Sequence, residues 1–172
     1  MAFEAKAVAN EFLDIAWGES KIITPMKIQK LTYFAHGWHL ALADQPLIDE
    51  QVEAWKFGPV IRTLYSEFRE YGTAPITSHA SSVERIPGGS KLAFRFFRPK
   101  LLGEDQSAIY ARSLLKRVWQ VYGIYTAIQL SNMTHEAGSP WSETVAEYGG
   151  NPPKGTDIPM ERIKRYFKTL VS

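Results

Sequence analysis

Apolar side chains along this chain recur mainly at the three-to-four-residue interval of a helix, broken in two places by the two-residue alternation of a strand. Phe3, Val8, Phe12, Ile15 and Ala16 repeat at helical spacing and Gly18 follows them, so residues 3–17 read as an amphipathic helix. Thr24 as N-cap with Pro25 at the first helical position predicts a second helix that ends near Ala43, ahead of the Asp44-to-Pro46 turn. Its Ile28, Leu31, Phe34, Ala35, Trp38 and Leu42 form one apolar face, and Gln29, Tyr33, His36 and Leu40 form a stripe nearly opposite. Beyond Lys30 it carries no charge. A helix apolar round most of its circumference is buried round most of it, which makes this the expected central helix of the fold. Gly37 costs about 1 kcal/mol against alanine inside a helix and therefore marks a close-packed neighbour.

Gln51 to Phe57 alternates as a short strand, and Gly58-Pro59 is expected to stop it and open a helix over about 59–71 that closes on Gly72. Val83 to Ile86 and Lys91 to Phe97, joined by Pro87-Gly88-Gly89-Ser90, read as a β-hairpin with a basic, aromatic second strand. Helical spacing resumes over about 104–122, 126–136 and 140–148, the last opened by Ser139-Pro140, and a closing helix begins at Pro159. The expected class is α+β: a mostly helical single domain over residues 1–172, with a central buried helix and a small antiparallel hairpin or sheet.

Composition narrows the function classes. With 45% hydrophobic and 22% charged residues in 172, the chain is of average globular type, which excludes disordered, collagen-like and coiled-coil classes. The absence of cysteine excludes a disulfide scaffold, a zinc–thiolate site, an iron–sulfur cluster and a thiol nucleophile. Glu4 and Lys6 lie where a secretory leader would need an apolar core, so a cytoplasmic protein is expected. The longest stretch free of charge, Val118 to His135, carries Gln120, Gln129 and Asn132, so no membrane span is expected. Net charge is only +2, but Arg85, Lys91, Arg95, Arg98 and Lys100 follow one another with no acid between them, and the closing helix sets Arg162, Lys164, Arg165 and Lys168 against Glu161 alone. That layout favours an acidic partner surface, protein before nucleic acid.

Catalytic signatures are sparse. No glycine-rich phosphate loop, nucleophile elbow or paired-histidine zinc helix occurs. His36 and His39, three apart on a helix, could share a metal, but no third ligand lies at suitable spacing. Asp49, Glu53 and Lys56 suggest a nuclease site, yet Glu53 and Lys56 point to opposite faces of a strand and cannot converge. His135 could serve as a general base, but no nucleophile accompanies it, and the preferred role is a side-chain-to-backbone bond that fixes the turn into the Ser139-Pro140-Trp141 helix. Arg95, Arg98 and Lys91, interleaved with Phe94, Phe96 and Phe97, would suit single-stranded nucleic acid or an acidic protein. From the residues alone, the chain reads as an interaction protein, with a nucleic-acid-binding regulator and a hydrolytic enzyme as alternatives, and no cofactor or metal is called for.

Ordered motifs carry the reading further. Ile28-Gln29-Lys30-Leu31-Thr32-Tyr33-Phe34-Ala35-His36-Gly37-Trp38-His39, then Pro46-Leu47, then Glu53-Ala54-Trp55-Lys56-Phe57-Gly58-Pro59-Val60, then Leu64-Tyr65 and Phe68 to Gly72, together resemble the Panacea domain of SocA-like antitoxins. Leu130-Ser131, Thr134-His135 and Gly138-Ser139-Pro140-Trp141 are similar to that family's later motif, so the resemblance spans about residues 20–145. It implies an antitoxin, often of prophage or mobile DNA, that neutralises a toxin encoded beside it by direct binding and is not a catalyst. One branch of the family instead delivers its toxin to an ATP-dependent protease as an adaptor. Within the motifs, Tyr33, His36, Trp38, Trp55, Gly58, Pro59, His135 and Trp141 are expected to be scaffold or to border a groove. Partner contact is expected where the family pattern lapses, from Lys91, Phe94, Arg95, Phe96 and Arg98 of the hairpin with Arg162 and Arg165 of the closing helix.

Overall fold

A computed structural model describes residues 2–87, 93–101 and 103–171. In chain order the elements are α1 (Ala5–Gly18), α2 (Pro25–Ala43), β1 (Glu53–Trp55), β2 (Gly58–Val60), α3 (Arg62–Phe68) running into a 3₁₀ turn (Arg69–Tyr71), β3 (Ser82–Arg85), β4 (Phe94–Phe97), α4 (Gln106–Tyr122), α5 (Ala127–Thr134), α6 (Pro140–Glu147) and α7 (Met160–Thr169). The α+β, mostly helical class is as expected.

The second helix is the hub. Thr24 Oγ1 accepts the Lys27 amide at 3.4 Å, Pro25 occupies the first turn, and Asp44 ends the helix in the left-handed region at φ 59°. Every residue from Ile28 to Leu40 is buried except the half-buried Trp38. Around this helix pack α1, α3, α4, α5, α7 and β2, so its apolar circumference is covered on all sides. Helix α7 lies against it at Gly37, where the Phe167 ring fills the space a side chain would need. The glycine is thus explained by the close neighbour its cost implied.

Helix α1 has no side-chain cap of its own. The Glu50 carboxylate supplies one from 45 residues away, accepting the Ala5 amide at 3.0 and 2.9 Å. Asn10, 1% exposed in the middle of α1, donates to the carbonyls of Ala80 and Pro99 at 3.0 Å each and accepts the Ala80 amide at 2.7 Å. One side chain therefore ties together both ends of the hairpin segment.

Gly58-Pro59 does not open a helix. Both residues belong to β2, which pairs antiparallel with β1 in the register Glu53↔Val60, Ala54↔Pro59, Trp55↔Gly58, and α3 starts three residues later at Arg62. Gly58 has φ +104°, outside helical space, and a proline is tolerated in a strand that needs no donor at that position. Gln29 then holds the chain extended one residue further: its Oε1 accepts the Ile61 amide at 2.9 Å and its Nε2 donates to the Ile61 carbonyl at 3.0 Å.

The second hairpin pairs Ser82↔Phe97, Val83↔Phe96, Glu84↔Arg95 and Arg85↔Phe94. The first strand has the predicted length, shifted by one residue, and among the described residues β4 starts at Phe94. Lys91 and the Gly88-Gly89-Ser90 turn lie outside the described residues. Three further helix starts carry side-chain caps, Asp105 for α4, Thr126 with Gln129 in a reciprocal capping box for α5, and Ser139 followed by Pro140 for α6. Among the described residues no helix is long and apolar enough to cross a membrane.

Candidate functional site

Five of the motif residues meet at the β1–β2 turn. A tight turn leaves carbonyl oxygens without ladder partners, and here three of them are taken by side chains from elsewhere in the fold. Lys30 Nζ, reaching up from α2, donates to the Phe57 carbonyl at 2.9 Å and the Pro59 carbonyl at 3.1 Å. Ser131 Oγ of α5 shares the Phe57 oxygen at 3.2 Å. Trp141 Nε1 of α6 donates to the Trp55 carbonyl at 2.7 Å. The His135 ring packs 4.0 Å from Trp141, centroid to centroid, while its Nδ1 bonds the Ser131 carbonyl at 2.7 Å. His135 thus makes a side-chain-to-backbone bond of the expected kind, directed back onto α5, and reaches α6 through its ring.

Gly58 sits where these parts converge. A Cβ there would lie 2.6 Å from Lys30 Nζ, 2.7 Å from Thr134 Oγ1 and 3.1 Å from His135 Cε1. The lysine is 2% exposed and has no acidic partner among the described residues. Burial lowers its ammonium from the usual lysine range to about 7. In the sequence Lys30 stands out as the last charge of its helix. That signal was available, because a lone cation in an apolar helix must find acceptors inside the fold.

The other motif residues are used structurally. Tyr33 is buried with its ring edge-on to Phe167 at 5.8 Å, and burial raises its hydroxyl well above the usual tyrosine range. His36, 1% exposed, accepts the Ile48 amide on Nδ1 at 3.4 Å, and burial lowers it to about 4, which keeps it neutral. Trp38 donates from Nε1 to Tyr122 Oη at 3.0 Å, and Trp55 from Nε1 to Glu53 Oε2 at 2.7 Å. Glu53 also receives Arg62 Nε at 2.8 Å, so its carboxylate is committed to structure. His39 Nδ1 bonds the Gln45 carbonyl at 2.7 Å. Among the described residues no group of three histidine, aspartate or glutamate side chains is placed to hold a metal.

The partner-contact candidates are not brought together. The hairpin is anchored on α1, whereas α7 packs on α2 and α6. Phe94 and Phe96 are 55% and 73% exposed. The arginines have acidic partners within the chain: Arg95 pairs with Glu84, Arg98 with Asp14, and Arg165 with Glu143 at 2.8 Å. Arg162 pairs with Glu143 at 3.3 Å and with Glu147. The charge they offer a partner is accordingly smaller than their number.

Against known proteins, the model of the family described as "Antitoxin SocA-like, Panacea domain" matches residues 28–142. The chain is 33% identical to Antitoxin SocA of Caulobacter vibrioides (strain NA1000 / CB15N) over 165 residues, covering 96% of this chain and 82% of that protein. No solved structure matches.

Proposed function

The chain belongs to the SocA-like antitoxin family with the Panacea domain, and from that premise we propose that it neutralises a toxin protein by binding it one to one, with no turnover of its own. The observation that supports a contact surface is the outward face of the β3–β4 hairpin. In its register Val83 lies across from Phe96, with Phe94 two residues along on the same face, and these three are 52%, 73% and 55% exposed. Arg95 and Glu84 pair on the opposite face. A two-stranded sheet keeps an outer edge on each strand, so a partner strand can add to it while the phenylalanines enter an apolar pocket. Arg95, Arg98, Arg162 and Arg165 play a smaller part in this reading than their sequence clustering suggested, because each is already neutralised nearby.

Co-purification with the product of the adjacent gene, together with rescue of growth when that product is expressed, tests the antitoxin reading. Failure of both would sink it. For the surface, Phe94→Asp combined with Phe96→Asp is expected to weaken toxin binding at least 30-fold with an unchanged melting temperature. Normal binding by that variant would reduce the hairpin to decoration.

A further inference from the structure

Beside the β1–β2 turn a groove of about 510 Å³ opens between the start of α2, the turn itself and α3. Its floor is apolar, from Val60 and Leu64, and large side chains stand open at its mouth: Met26, Phe57 and Tyr65 are 40%, 66% and 44% exposed. Its walls carry Lys30, Lys56 and Arg69 and no acidic residue. Glu70 lies 3.4 Å from the Arg69 guanidinium but is 85% exposed and outside the groove. Lys56 has no acid within ion-pair distance among the described residues, and its Nζ sits 5.5 Å over the Phe57 ring.

Lys30 makes this groove more than an apolar dent. In its charged form the ammonium carries three donors, of which two go to the Phe57 and Pro59 carbonyls, so charging the amine adds one uncommitted donor and a cation with no counter-ion. A buried unpaired charge is costly, and a carboxylate brought beside it would offset that cost. On the far side of the Trp55–Phe57 ridge lies a second groove of about 630 Å³, bordered by Trp55, Lys56, Trp141 and Lys154 and again by no acidic residue. The two grooves together present aromatic rings and cations along one ridge.

We infer that the groove flanking the β1–β2 turn receives an acidic, aromatic-bearing peptide segment of the toxin, whose ring lies on the Val60–Leu64 floor between Met26 and Tyr65 and whose carboxylates meet Lys30, Lys56 and Arg69. This rests on the antitoxin reading and adds a second contact distinct from the hairpin. A peptide fits better than single-stranded nucleic acid, because Lys30 lies behind apolar walls. The charged and titratable side chains around Lys30 are Lys56 from the turn, Arg69 after α3 and His135 after α5, none of which supplies the missing negative charge.

The experiment uses the full chain and its toxin. Lys56→Glu combined with Arg69→Glu changes two exposed rim groups and is expected to weaken toxin affinity at least 30-fold while the melting temperature stays within about 2 °C. Calorimetry at pH 8 in buffers of different ionisation enthalpy is expected to show uptake of about 0.5–1 proton on binding, since Lys30 is largely neutral when free and recharges beside a carboxylate. That uptake is expected to vanish in Lys30→Met. Toxin binding within threefold of wild type by the rim variant, or binding with no proton uptake, overturns the inference. A toxin-independent arm titrates acetyl-Asp-Phe-Leu-Glu-amide, its Asn/Gln counterpart and a twelve-nucleotide single strand, following the indole NMR signals. The acidic peptide is expected to bind at least tenfold tighter than its amide counterpart. Equal binding of the two peptides, or preference for the oligonucleotide, overturns it as well. A wild-type chain that ignores the toxin but discriminates the peptides defeats the antitoxin reading and leaves the groove chemistry standing.

Discussion

Replacing Gly37 by alanine sets two effects of opposite sign against each other. Alanine stabilises a helix interior over glycine by about 1 kcal/mol, so on propensity alone the variant gains stability. A Cβ at Gly37, however, would lie 2.2, 2.4 and 2.5 Å from three atoms of the Phe167 ring, where ordinary contact begins near 3.4 Å. The ring must therefore move by more than an ångström. It is fully buried and held edge-on by Tyr33 at 5.8 Å, Phe34 at 6.0 Å, Trp38 at 5.4 Å and Tyr166 at 5.5 Å, so no direction is open to it. If the ring is expelled the loss approaches that of Phe→Ala, about 3–5 kcal/mol, and after the propensity gain a net destabilisation of about 2–4 kcal/mol remains. For a chain of this size that lowers the melting temperature by roughly 5–15 °C. A double-mutant cycle with Phe167→Ala isolates the cause: without the ring, Gly37→Ala is expected to become neutral or stabilising, a coupling of at least about 2 kcal/mol. Gly18→Ala, where nothing lies within 4 Å, serves as the control and is expected to gain up to about 0.5 kcal/mol. Chemical denaturation of the variants reads all of these. A more stable Gly37→Ala chain, or an equal cost with and without the Phe167 ring, would refute the reasoning.

Lys30→Met is expected to change the pH profile of stability. The folded ammonium titrates near 7 and the unfolded one near its usual 10.5, so above pH 7 the unfolded chain holds a proton the folded chain has released, and stability rises with pH. Between pH 7 and 9 the wild type is expected to gain about 2–3 kcal/mol relative to Lys30→Met, and parallel urea midpoints across that range would contradict the assignment. Gly58→Ala combines φ +104° with contacts of 2.6 and 2.7 Å and is expected to cost more than about 3 kcal/mol, whereas Gly72→Ala, at φ +56° and ψ −112° with nothing within 4 Å, carries backbone strain alone and is expected to cost about 1–3. Thermal melts of the two separate crowding from backbone strain. Asn10→Ala strands the Ala80 amide and two buried carbonyls and is expected to cost about 2–3 kcal/mol, with faster proteolysis near the β3–β4 hairpin; an unchanged cleavage rate would mean that α1 does not hold the hairpin.

What was legible in the sequence was whatever local chemistry encodes. Thr24-Pro25 and Ser139-Pro140 marked helix starts because capping and the missing proline donor act within one turn, and both starts are where those residues placed them. Gly37 was legible because a local cost implied a distant benefit. The Gly58-Pro59 pair points the wrong way for the converse reason: the same dipeptide opens helices elsewhere, and here pairing with β1 keeps β2 extended while Gln29, 32 residues from Ile61, bonds both polar groups of that residue and carries the extension past the strand. Lys30 was visible as an isolated charge, but its acceptors are carbonyls 27 and 29 residues along, set by a turn whose conformation the pattern did not specify. Asn10 gave no signal, since a lone polar residue in an amphipathic helix ordinarily faces water.

The same separation between local and spatial order decides the sign of the surface a partner meets. Counted along the chain, residues 85–100 carry five positive charges and no negative one, and the closing helix a further net three. In the fold, Asp14 of α1 comes to Arg98, Glu84 of the opposite strand to Arg95, Glu143 and Glu147 of α6 to Arg162 and Arg165, and Asp44 beyond α2 to Lys164 and Lys168 at 3.0 and 3.1 Å. Acids from other elements thus pair with all four cations of the closing helix and with Arg95 and Arg98 of the 85–100 segment, and at exposed sites such pairs leave little field beyond a Debye length of about 8 Å. At the β1–β2 turn the order is reversed. Glu53 and Lys56 lie three residues apart and look balanced on paper, yet Glu53 turns inward to Arg62 and the Trp55 indole, leaving Lys56 without an acid on the ridge and Lys30 without one beneath it. On the proposed reading an acidic partner is therefore drawn less to the stretches that look most basic than to the apolar ridge, and the hairpin contributes mainly through Val83, Phe94 and Phe96.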